Sequence, residues 1–167
     1  GGTDYKAGLT AAADVALYYR QPISLPMGES YIAAGLNLSN LGGKMTYDQV
    51  TQHFIPANMR LGVSYEIPFD AYNRLTATVE CNKMLVPTSY SRYGTDTLNG
   101  LPHLSTEAYS EISSPKGWFM SFNDAPGYYN DKTNKMVSPL MEEFQEVQWG
   151  VGLEYAYNNM FFVRAGY

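Results

Sequence analysis

Alternation of apolar and polar residues, sustained over runs of roughly nine to eleven residues, constrains this chain more than any other feature. Between Thr10 and Arg20 one face carries Ala11, Ala13, Val15, Leu17 and Tyr19, and the other Ala12, Asp14, Ala16, Tyr18 and Arg20. The same pattern runs from Tyr31 to Ser39, from Asn58 to Ile67 and from Arg74 to Asn82. It returns from Val147 to Tyr157 and, after Asn158-Asn159, from Phe161 to Tyr167. A helix needs apolar residues three and four apart, which none of these segments sustains. They are read as strands, and the fold class as all-β and antiparallel. Strands of roughly nine to eleven residues cross a bilayer when tilted by about 45°, whereas strands of soluble proteins usually run to about five or six.

The polar faces mix Gly, Ser and Thr with Asp14, Arg20, Arg60, Glu66, Arg74, Glu80, Glu154 and Arg164. Such a mixture suits the wet interior of a transmembrane barrel, or the solvent face of a soluble sandwich. The connections favour the barrel. Outer-membrane barrels alternate short periplasmic turns with long extracellular loops. Here Arg20–Ser30 is a link of moderate length, Gly42–Pro56 is long, Pro68–Asn73 is short, Val86–Glu146 is very long and Asn158-Asn159 is a tight hairpin turn. Parity puts the two long links on one side, which would be extracellular. Six strands are legible, and a closed membrane barrel needs at least about eight. The chain is therefore expected to be one outer-membrane β-barrel domain over residues 1–167, in fragment, with a long extracellular loop over 88–145.

Composition agrees. The net charge of -5 offers no basic stripe for phosphates, so nucleic acid is not expected as a partner. Charged residues make up 16%, low beside the roughly 25% of soluble domains, and the 15 tyrosines suit a membrane boundary. No apolar run of about 18 residues exists for a transmembrane helix. A mean hydropathy of -0.28 is compatible with strands that average apolar and polar residues. Cys81 is the single cysteine, so no internal disulfide can form, and a small apolar role is expected. Gly1-Gly2 opens the chain without a basic or apolar leader, so any signal peptide is expected to be gone already.

Chemistry is sparse. The sequence places no further ligand type at metal-ligand spacing from His53 or His103, and Asp124, Asp131 and Asn134 are not spaced as a calcium loop. His103, Ser105 and Glu107 contain the groups of a hydrolase but no recognisable nucleophile motif. No phosphate-cradling glycine motif occurs. The expectation is a protein without catalysis, cofactor or metal. The long loop is different. Trp118, Phe119, Phe122, Tyr128 and Tyr129 cluster around Asp124 and Pro126, and loop aromatics of this kind mark a contact surface for another chain or the loop's own small core. Asp14, Arg60, Glu80 and Arg164 are read as lumen-facing, either lining a conduit or pairing to fill the barrel.

Several segments, taken in order, resemble the PorV family, also called LptO. They are Ala16–Arg20, Gly35–Gly42, Phe54–Gly62, Asn82–Pro87, Ser121–Gly127 and Glu154–Phe161. The resemblance spans about Thr10 to Tyr167, although Thr88–Ser114 matches no pattern of the family. It implies an outer-membrane component of the type IX secretion system of Bacteroidota, built as a FadL-like barrel of fourteen strands in the full protein. Such proteins bind the translocon barrel and capture cargo through its C-terminal signal domain. They pass it to attachment-complex proteins, which anchor it to lipopolysaccharide. The partners implied are therefore the translocon, cargo signal domains, attachment-complex proteins, and outer-membrane lipid and lipopolysaccharide. A FadL-like transporter of a hydrophobic small molecule is the alternative, and a soluble carbohydrate-binding sandwich a third.

Overall fold

The computed structural model describes residues 8–46, 52–88, 111–130 and 132–167. The sheet strands are β1 (Ala12–Leu25), β2 (Gly28–Gly42), β5 (Asn58–Pro68), β6 (Asn73–Met84), β9 (Gln148–Tyr157) and β10 (Phe161–Gly166). Two short hairpins interrupt them: β3 (Met45–Thr46) with β4 (Gln52–His53), and β7 (Tyr128–Asn130) with β8 (Lys135–Val137). Among the described residues, the helices α1 (Ser114–Met120) and α2 (Pro139–Glu146) lie in the link between β6 and β9. The six strands form one antiparallel sheet in the order β1-β2-β5-β6-β9-β10. That is an up-and-down meander, in which every sheet neighbour follows in chain order.

The register shows why period two matters. Across β6, β9 and β10, Leu75 faces Tyr155 and Val163, and Ala77 faces Leu153 and Ala165. On the opposite side, Thr76 meets Glu154 and Arg164, and Thr78 meets Gly152 and Gly166. One face is thus an apolar row beside an apolar row, the other a polar and small-residue row. The apolar face is open: Val15, Leu17, Val63, Val79, Val151, Leu153 and Val163 are all exposed. The buried apolar residues among those described are instead mostly small, with Ala33, Ala57, Ala125 and Ala156 joined only by Leu85 and Ile112. Large apolar side chains out and small ones in is the reverse of a water-soluble core. It is the arrangement for a sheet solvated by hydrocarbon on one face. No described helix is long and apolar enough to cross a membrane, which says nothing of crossing by strands.

One expected connection changes. The moderate link over Arg20–Ser30 is absent, because β1 runs on for 14 residues to Leu25 and β2 starts at Gly28. Only Pro26 and Met27 separate them. Ile23 and Leu25 continue the alternation past Pro22, which falls near the end of the strand. All three hairpin connections within the sheet are therefore short.

Their residues explain this. In the 69–72 turn the Asp70 carboxylate accepts from the backbone N–H groups of Tyr72 and Asn73, both at 2.8 Å, and from the Asn73 side chain. Those bonds hold Asp70 below the usual carboxylate range, the Tyr72 N–H most of all. Asn158 and Asn159 take left-handed φ values of 49° and 53°, which Asn tolerates and a hairpin reversal requires. Side chains then tie neighbouring strands: Arg74 reaches Glu66 at 3.2 Å and also Asn159, while the Tyr155 hydroxyl donates to Asn73.

By contact the chain divides into two units. One comprises Val15–Leu38, Met59–Lys83 and Gln148–Tyr157 with the remainder to Tyr167. The other comprises the described parts of Gly1–Asp14, Ser39–Asn58 and Met84–Val147.

Candidate functional site

The link from β6 to β9 is where the aromatic residues gather, and its described parts are folded. Leu85 donates its N–H to the Ala57 carbonyl at 2.8 Å, and both residues are buried. α1 begins with Pro115 in its first turn, where a missing N–H is harmless. Gly117 lies so close to Phe54 that a Cβ there would stand 2.8 Å from Cε1 of the ring, so only glycine fits. Ser121, 1% exposed, closes α1 by donating its hydroxyl to the Trp118 carbonyl at 2.7 Å.

Beyond α1, two carboxylates organise the chain. Asp124 accepts from the Thr88 N–H at 2.7 Å and from the Thr88 hydroxyl at 3.1 Å. Burial raises its pKa above the ordinary carboxylate value. The Thr88 bonds oppose that shift, and Glu143 and Glu146 add to it. Glu143 Oε1 in turn accepts from the N–H groups of Asp124 and Ala125 at 2.7 and 2.8 Å. Gly127, at a left-handed φ of 76°, leads into the β7–β8 hairpin, where Tyr128 pairs with Val137 and Tyr129 with Met136. α2 starts at Pro139 behind Ser138, whose hydroxyl accepts from the Met141 N–H at 3.4 Å. The Tyr128 hydroxyl donates to Gln145 on α2.

Against this frame the expected contact residues separate. Phe119, Phe122 and Tyr129 are exposed, whereas Trp118, Pro126 and Tyr128 are half-buried in the link itself. Asp124 shapes the link through Thr88. Leu140, Met141 and Phe144 on α2, with Met136 beside Tyr129 on the hairpin, are exposed as well. Sequence reasoning passed over these four. The available signal was Ser138-Pro139 as a helix start, followed by apolar residues at 140, 141 and 144. His103, Ser105 and Glu107 lie outside the described residues, as does most of Thr88–Ser114.

The four residues expected on the lumen face share the polar side of the sheet but not one role. Arg60 and Glu80 line a shallow groove of about 320 Å³ with Tyr18 and Asn37, above a floor that includes Gly35 and Gly62. Glu80 lies across Gly150, where a Cβ would come within 2.9 Å of its Cγ. Arg164 pairs with Glu154 directly opposite on β9. Asp14, on the same side of β1 as Ala16 and Tyr18, accepts from the Asn40 N–H instead.

A long-stranded antiparallel meander, apolar on its open face and polar on the other, defines a β-sheet protein of the outer-membrane type. Residues 2–91 match the family described as type IX secretion system protein PorV, more than half of the chain. The chain belongs to the PorV family and is a component of the type IX secretion system. Comparison with curated protein sequences gave no match.

Proposed function

We propose that this chain is part of an outer-membrane barrel that binds the type IX translocon and captures secreted cargo through the cargo's C-terminal signal domain. It then delivers that cargo to the surface attachment complex, with its long links on the extracellular side. The observation that carries this reading is the family match over residues 2–91. The exposed Phe119, Phe122 and Tyr129 support it, since aromatic side chains left in water within a folded link are suited to protein contact. In this reading Trp118 and Tyr128 brace the contact surface from beneath, and Asp124 and Pro126 set its backbone.

The test is a detergent pull-down of the full-length tagged protein from outer membranes, with mass spectrometry of what co-purifies. A very large barrel protein, or cargo still carrying its C-terminal signal domain, is the expected result. A barrel recovered alone with lipid or a hydrophobic molecule inside it would replace this reading with transport. The groove between Arg60 and Glu80 is the observation that favours that second reading. There, substitutions in the groove rather than in the link would abolish function.

A further inference from the structure

On the apolar side of the sheet, aromatic and aliphatic residues are sorted into rows. Tyr157 pairs with Phe161 at the short-turn end, and the next row holds Leu75, Tyr155 and Val163. Ala77, Leu153 and Ala165 follow. Val79 then pairs with Val151, which is bonded in turn through both backbone groups to Tyr167. Trp149, beside Cys81, closes the face at the end nearest the long link. The rings therefore stand at the two ends, all of them exposed, and aliphatic residues fill the middle. No Asp, Glu, Lys or Arg interrupts these rows. The tyrosine hydroxyls also have a direction. Tyr155 donates to Asn73 and, on β1, Tyr19 donates to Gln21 at 2.7 Å. Each acceptor lies one row closer to the short turns, so both hydroxyls turn away from the aliphatic rows.

Resting on the barrel proposed above, we infer that this face docks on lipid between two aromatic belts, Tyr155, Tyr157 and Phe161 at one boundary and Trp149 and Tyr167 at the other, matched to a bilayer with a thin hydrocarbon core. A ring with its body in hydrocarbon and its hydroxyl towards water is what a bilayer boundary selects. A protein partner calls for the reverse order, because an interface gathers its aromatic anchors at the centre and leaves a polar rim. Here the centre is Ala, Val and Leu, and the rings form the rim. Length fits as well. On β9 the run from Trp149 to Tyr157 covers about 26 Å of strand at roughly 3.3 Å per residue. Along the membrane normal that is about 20 Å at a tilt of about 40°. A typical hydrocarbon core is about 30 Å thick, and bacterial outer membranes are thinner than average.

The test uses the full-length protein folded into dilauroyl phosphatidylcholine vesicles. Trp149→Cys, Val151→Cys, Leu153→Cys, Tyr155→Cys and Tyr157→Cys are made singly on a Cys81→Ala background, with any other cysteine replaced. Each is confirmed as folded by heat-modifiable migration and then carries a nitroxide label. Collision with oxygen, which concentrates in hydrocarbon, is compared with collision with a water-soluble nickel chelate. Oxygen access is expected to peak at residue 153 and to fall towards both 149 and 157, where nickel becomes the favoured partner. A peak displaced to either belt, or oxygen access still rising past it, would move the boundary and overturn the inference while leaving the barrel standing. A label at 153 shielded from both reagents would give the face to a protein, with the same consequence. Nickel access at 153 equal to that at 149 and 157 would overturn the inference and the outer-membrane barrel together.

Discussion

The Asp14 carboxylate accepts a hydrogen bond from the backbone N–H of Asn40 at 2.7 Å, across 26 residues of chain. Asn40 sits at a left-handed φ of 56° within β2, and its own side chain donates to the Pro56 carbonyl at 3.3 Å. Asp14 thus holds an irregular point of the strand. Asp14→Ala is expected to lower stability by about 1–2 kcal/mol, the scale of a charge-assisted bond near water. Asp14→Asn, which keeps an acceptor, should lose less. Urea-driven unfolding from lipid vesicles measures both, and an unchanged midpoint for Asp14→Ala would refute this role.

The outward face should behave as a lipid surface. Leu153→Arg, in the middle of the apolar row, is expected to cost about 2–4 kcal/mol in vesicles. On the solvent face of a soluble sheet the same change would stay within about 0.5 kcal/mol. The same titration separates the two.

Asp70 makes the 69–72 turn sensitive to acid. Its pKa is depressed by the Tyr72 N–H, then by the Asn73 side chain and N–H, so its contribution is present above the ordinary value of 3.8 and is lost as pH falls through the folded pKa. Amide exchange at Asn73 should therefore accelerate below that ordinary value. In Asp70→Asn the acceleration should vanish from that window.

Asp124 has the opposite sign. Burial raises its folded pKa, so the folded state binds its proton more tightly than the unfolded chain does. The favourable contribution is complete below the ordinary value of 3.8 and is lost as pH rises through the folded pKa. Asp124→Asn should flatten that part of the pH profile of proteolysis in the link. A profile identical to wild type would exclude Asp124 as its source.

Glu143 should matter more than an exposed carboxylate on a short helix ordinarily does. Glu143→Ala leaves the N–H groups of Asp124 and Ala125 without their acceptor, and Ala125 is buried. The expected cost is about 1–3 kcal/mol for a buried donor left unsatisfied. Glu143→Gln should restore part of it. Limited proteolysis between Asn123 and Val147 is the readout, and equal cleavage of wild type and Glu143→Ala would show the two bonds to be dispensable.

Much of the sheet was legible because a strand's two faces are written locally. Leu75, Ala77 and Val79 alternate with Thr76, Thr78 and Glu80 whatever lies beside them, and the register with β9 places like beside like. The tight reversal at Asn158-Asn159 was legible for a similar reason, since the left-handed φ is a property of the residues themselves. The extent of β1 was not. Pro22 and Pro26 read as a loop, yet β1 runs through Pro22 to Leu25 and only Pro26 and Met27 form the turn.

The contact link divides in the same way. Its aromatic, proline and glycine content showed that it could present a surface, but composition does not say which rings are covered. Trp118 and Tyr128 turned out half-buried, while Leu140, Met141 and Phe144 did not. The sequence by itself determined an antiparallel sheet with one apolar face, because alternation needs no partner to be read. Tertiary structure alone decided that α2 buries Glu142 while Leu140, Met141 and Phe144 on the same helix stay exposed. That choice depends on where the Asp124 and Ala125 backbone falls beside Glu143, since a buried N–H left without an acceptor costs about 1–3 kcal/mol.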